Sequence, residues 1–99
     1  MTYNDKLQIA LQNVTDEASF LVFIEALGRD RADEAEKERN NPSSPYGSGA
    51  NGWEHTTIDG FLEAAVAWAA VSTRMSTYDL PDNVWTRCAD ILYSGKVYE

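Results

Sequence analysis

This 99-residue chain predicts an all-α fold: a small single-domain bundle of three to four helices with one long Pro/Ser/Gly-rich loop. Three observations carry that prediction. Apolar residues recur at helical spacing in separate stretches. Capping residues stand ahead of those stretches. The length suits one small domain and is too short for two, so residues 1–99 are read as a single helical domain with a flexible loop at 40–52.

The first stretch runs from Asp5 to Val14. Leu7, Ala10, Leu11 and Val14 fit the i, i+3, i+4, i+7 pattern of an amphipathic helix, and Asn4 is placed to cap it. Thr15 is the expected N-cap of a second helix over 16–39, whose Asp16 and Glu17 favour the positive end of the helix dipole. Phe20, Phe23, Ile24 and Leu27 form its apolar face. After Gly28 the residues become charged helix formers, with Asp33 and Lys37 paired at i, i+4. This half is expected to project into solvent. Two Pro and three Gly then interrupt residues 40–52.

Thr56 or Thr57 caps a third helix over about 58–74. Residues Ala64 to Val71 are apolar on nearly every side, which predicts a buried helix at the centre of the fold. Pro81 opens the last helix, with Asp82 or Asn83 as cap. Its expected inner face is Val84, Trp85, Cys88, Ile91 and Leu92, and Ser94-Gly95 is its expected stop. Val97 and Tyr98 are expected to pack back.

Composition excludes several functions. A lone Cys88 allows neither an intrachain disulfide nor a multi-cysteine zinc site, and it suits a reducing cytoplasm. No secretory leader pattern opens the sequence, and no apolar run is long enough for a bilayer. A cytoplasmic protein without membrane contact is therefore expected. The net charge of −8 and the absence of a basic stripe argue against direct nucleic-acid binding. The charge is dispersed, at −3 over residues 1–27, −1 over 28–39 and −4 over 40–99, which also disfavours an acidic mimic of DNA.

Three separated blocks share a likeness. Trp53-Glu54-His55-Thr56-Thr57-Ile58-Asp59-Gly60-Phe61-Leu62-Glu63-Ala64, with Trp68 following, resembles a W-E-N-x-T-[LI]-x-x-F-L-E-A motif. Upstream, Phe20-Leu21, Phe23-Ile24, Leu27 and Asp30 resemble F-L-x-F-L-x-x-L-x-x-D. The closing Ala89 to Glu99 resembles A-x-x-L-x-x-G-K-I-Y-E. Together they resemble a small bacterial helical domain family of unknown function, covering most of residues 15–99. His55 stands where that pattern has Asn. The resemblance implies a helical bacterial domain and supplies no activity.

The candidate chemistry is sparse. His55 beside Glu54 suggests a base or a metal ligand, but it is the sole histidine. Asp30, Asp33, Glu34 and Glu38 have helical spacing, and Asp59 with Glu63 makes a second acidic pair. Four interleaved bases favour a solvated ion-pair face over a cation site. Cys88 reads as an inert core thiol. Ser94-Gly95-Lys96 lacks the spacing of a phosphate loop. Trp53 either folds back as a lid on the core or stands exposed as an anchor.

The expectation is a protein more suited to binding than to catalysis, without cofactor, metal or catalytic set. It would grip a basic protein partner, as an immunity or antitoxin-like protein does, through Tyr46, Trp53, Glu54, His55 and Glu63. A metal-dependent enzyme or small-ligand binder using the carboxylates is the alternative. Self-association of the aromatic-rich surface is a third.

Overall fold

The computed structural model describes residues 3–99, with side chains from Asp5 onward. Its four helices are α1 (Tyr3–Gln12), α2 (Glu17–Asn40), α3 (Ile58–Ser72) and α4 (Val84–Val97). The expected Asn4 cap lies outside the described side chains. None of the described helices is long and apolar enough to cross a membrane.

α1 and α2 form an antiparallel pair around Val14, which is buried where the chain turns. The cap of α2 is Asp16 rather than Thr15. Asp16 accepts from the Ser19 amide at 2.9 Å, and the Ser19 hydroxyl accepts from the Asp16 amide at 3.0 Å. This reciprocal box satisfies two groups that a Thr15 cap would leave open. Thr57 caps α3 through the Gly60 amide, and Asn83 caps α4 through the Trp85 and Thr86 amides.

The core consists of Leu7, Val14, Phe23, Leu27, Trp53 and Ala89, with Phe20, Phe61, Trp85, Leu92 and Tyr93 packed around them. α4 is the element that reaches all the others. It is tied to the α1–α2 turn by the Thr86 hydroxyl on the Val14 carbonyl (3.0 Å) and by Asn83 on the Thr15 carbonyl (2.8 Å).

α4 also runs through the expected Gly95 stop as far as Val97. Gly95 is there for proximity, not termination. A Cβ at this position would stand 2.7 Å from the Phe61 ring and 2.8 Å from the Phe61 carbonyl. The missing side chain lets α3 and α4 approach closely. Farther along, Arg87 donates to the Ser72 hydroxyl (2.8 Å) and the Ala69 carbonyl (3.1 Å) while lying over the rings of Trp68 and Tyr78.

Two expectations are corrected here. α3 is not the buried centre, because α4 covers it on one side and α2 does not pack against it. Ala64, Ala65 and Ser72 are buried, whereas Ile58, Leu62 and Val66 are exposed. The second half of α2 is not simply solvated either. Phe23, Leu27, Asp30 and Glu34 follow one another at helical spacing, and all four are buried. The inner face of α2 therefore continues past Gly28, with its chemistry changed from apolar to anionic. The Asp33–Lys37 pair does form on the outer side, at 2.9 Å.

Candidate functional site: two recesses divided by a buried tryptophan

The buried carboxylates of α2 are met by the α2–α3 connection, 41–57, and by the last turn of α4. Asp30 Oδ2 accepts from the Lys96 ammonium at 2.7 Å and from the Trp53 indole N–H at 2.8 Å. Lys96 is 3% exposed and Asp30 fully buried, so the charges compensate each other away from water. Glu34 Oε1 accepts from the backbone amides of Asn51 (2.9 Å) and Trp53 (3.2 Å). The Asn51 side chain donates to the Asp30 carbonyl at 3.0 Å and to Asp33 at 2.9 Å, and it accepts from Lys37 at 2.9 Å.

The local sequence makes this possible. Gly49 passes directly over the Glu34 carboxylate, and a Cβ there would collide with it. Gly52 adopts a positive φ of 88°, which turns the chain so that its amide reaches the Gly49 carbonyl at 2.9 Å. Trp53 then enters the core against Phe61. The Glu54 amide donates to the Lys96 carbonyl at 2.9 Å, which joins the connection to α4.

Trp53 divides two surface recesses and, with Arg31 and Thr56, lines both. One is a polar cleft of about 590 Å³ between α2 and the connection. Glu34, Glu38, Arg39, Ser43, Ser44 and Glu54 contribute its polar lining. Glu38 holds the connection by accepting from the Ser43 amide and hydroxyl (both 2.6 Å) and from the Ala50 amide (2.8 Å). The Ser43 bonds, followed by the one from Ala50, keep its carboxyl below the ordinary value. Glu34 Oε2 is buried without a hydrogen-bond partner among the described residues, and its nearest cation is Arg31 at 3.7 Å. The other recess is an apolar groove of about 400 Å³ between α2 and α3.

The residues expected to bind a partner do not form one patch. Tyr46 is 97% exposed at the tip of the connection. Trp53 is folded back and buried, so it is a lid on the core and not an exposed anchor. Glu54 is exposed, and partial desolvation followed by the Glu99 carboxylate raises its pKa. His55 is half-buried and contacts the Tyr98 carbonyl through Nε2, whereas Val97 ends α4 and is exposed, so the expected apolar tail packs back only at Tyr98. Glu63 is exposed on α3 beside Leu62 and Val66. Cys88 is half-buried, not enclosed in the core.

Among the described residues, no three His, Cys, Asp or Glu side chains are grouped to hold a metal ion. Asp30 and Glu34 turn inward, whereas Asp59 and Glu63 lie on α3, away from them. Sequence reasoning missed Asn51 and Lys96, the two side chains that organise the buried cluster. A signal for Lys96 did exist. Each of the three blocks that carry the family resemblance supplies one member of the cluster: Asp30 from the first, Trp53 from the second and Lys96 from the third. Comparison with family models, with curated proteins and with solved structures finds no match to this chain.

Proposed function

We propose that this is a non-catalytic protein-binding domain that takes a basic partner on the face formed by α2 and the 41–57 connection. One observation carries the reading. Glu34 Oε2 lies beneath Gly49 in the lining of an open polar cleft, ion-paired with Arg31 at 3.7 Å but without a hydrogen-bond donor among the described residues. A buried acceptor left in that state is costly, and a Lys or Arg side chain from a partner is the donor that suits it. The net charge of −8 favours encounter with a basic protein. Tyr46 at the connection tip and Glu54 at the cleft wall supply exposed contacts, and Trp53 supports them from beneath. An immunity or antitoxin-like role in the cytoplasm is the concrete form of this reading, within the small bacterial helical family that the chain resembles.

The test is capture of a partner at low salt, followed by affinity measurements across ionic strength. Wild type is expected to lose affinity steadily as salt rises. Glu34→Gln is expected to weaken binding about tenfold or more, the scale for losing one buried charged contact. Tyr46→Ala, exposed and structurally neutral, separates contact from folding. Binding indifferent to both salt and these substitutions overturns the reading, as does the absence of any partner.

A further inference from the structure

The connection between α2 and α3 carries a reactive step that its part in the buried cluster does not use. Asn51 is followed by Gly52, the one Asn-Gly step among the 99 residues. An asparagine amide in that setting is open to attack by the next backbone nitrogen, because glycine has no side chain to block the approach. The Gly52 amide gives its proton to hydroxide, and its nitrogen bonds to Asn51 Cγ. The Cγ–Nδ2 bond breaks, and ammonia leaves with a proton from water. Water then opens the cyclic imide at either carbonyl. The net change is amide and water to acid and ammonia, with aspartate or isoaspartate as product.

The fold keeps both reacting groups in other bonds. Asn51 is 5% exposed. Its Nδ2 donates to the Asp30 carbonyl and to Asp33, and its Oδ1 accepts from Lys37. The Gly52 amide is engaged by the Gly49 carbonyl. These contacts join the connection to α2 or to itself, so they are lost together when it lifts. A Cβ at Gly52 would meet nothing within 4 Å, so this glycine answers to its φ of 88° and not to a lack of space. The residue that turns the chain toward Glu34 is therefore also the one that makes Asn51 reactive.

The product does not fit the place the amide leaves. A carboxylate at 51 has no proton to donate, and it faces two acceptors, the Asp33 carboxylate and the Asp30 carbonyl. Lys37 still suits it. Isoaspartate goes further, because the main chain then runs through the former side-chain methylene. The Asn51 and Trp53 amides, which converge on Glu34 Oε1, are then separated by a longer chain.

We propose that Asn51-Gly52 is a self-modification site gated by the connection: opening exposes it to deamidation, and a converted chain no longer docks the connection on α2. The inference goes beyond the basic-partner reading and concerns how long the cleft lasts, not what enters it. Peptide mapping by mass spectrometry tests it, on protein aged at mildly alkaline pH with and without urea. Wild type in urea is expected to convert at Asn51, and the folded protein about tenfold or more slowly, since only the opened fraction reacts. In urea, where folding plays no part, Gly52→Ala is expected to convert about tenfold or more slowly than wild type. Glu38→Ala removes the anchor on Ser43 and Ala50, and is expected to stay helical and convert several-fold faster than wild type without urea. Fresh Asn51→Asp is expected to melt about 4 °C or more below wild type. Equal rates with and without urea overturn the proposal, as does an Asn51 that survives in urea. Asn51→Asp melting like wild type overturns it too, because the product then docks as well as the amide. Glu38→Ala converting at the wild-type rate overturns the gate. Should Glu38→Ala lose its helices, wild type in urea below the unfolding transition supplies the loosened state. Partner binding at the Glu34 cleft is measured on fresh protein, so either reading fails without the other.

Discussion

Lys96 is the residue on which the buried cluster depends most. It brings the charge that compensates Asp30, and its backbone carbonyl receives the Glu54 amide. Replacing it with Met keeps much of the stem volume but leaves a carboxylate buried with only the indole donor on that oxygen. Removing one member of such a pair typically costs about 3–5 kcal/mol. Urea unfolding of Lys96→Met is expected to show a loss of that size. Removing the charge on both sides, with Asp30→Asn added, is expected to recover part of it. The glycines divide by the same reasoning. Gly95→Ala is expected to destabilise by about 1–3 kcal/mol, because a methyl enters the Phe61 contact. Gly28→Ala is expected to stabilise the protein by up to about 1 kcal/mol, because a Cβ there meets nothing within 4 Å. A pair of melting curves recorded at low concentration checks the opposite signs.

At the scale of elements, caps and close approaches decide where each helix begins and how near it lies to the next. Asn83 accepts two amides of α4 and also donates to the Thr15 carbonyl, so it joins the start of α4 to the α1–α2 turn. Asn83→Ala is expected to cost about 1–2 kcal/mol in a denaturant titration, the range for losing an N-cap. Most of the helical layout was legible in the sequence, because apolar spacing and capping residues act locally. What was not legible is non-local. Asp30 and Glu34 continue the Phe23–Leu27 face, but hydrophobic periodicity has no sign for a carboxylate that is buried because a lysine 66 positions away meets it. α3 misled in the opposite sense. Its apolar circumference predicted burial, whereas the neighbours needed to cover that circumference are not supplied by the described chain. Gly95 read as a stop because local rules place glycine after a helix, and the Phe61 approach that requires it is tertiary. The candidate site was legible only in part, since Trp53 was identified but its partners were not.

For the whole molecule, pH sums several local effects. The Asp16, Asp33, Glu38 and Asp59 carboxyls all lie below their ordinary values, chiefly through hydrogen bonds to Ser19, Asn51, Ser43 and Thr57 respectively. A depressed carboxyl contributes stability that is present above its ordinary pKa and lost as pH falls through the lowered one. These four therefore predict a melting temperature that declines as pH drops below the ordinary 3.8 of Asp and 4.5 of Glu. Glu54 has the opposite sign. Its raised pKa favours the folded state below 4.5, and that contribution is lost as pH rises through the raised value. Glu54→Gln is expected to flatten the decline just above pH 4.5 while leaving the acid limb unchanged, as read from melting curves across pH.

The pairing of Asp30 with Lys96 also sets an order on assembly. α1 and α2 are neighbours in sequence and can close on each other early, but the inner end of α2 carries two anions that cannot leave water unaccompanied. Their burial therefore depends on the connection and on Lys96, which supply their donors. The exposed part of the connection around Tyr46 is expected to be the first site cut in limited proteolysis, and Lys96→Met, which removes the donor to Asp30, is expected to speed that cleavage.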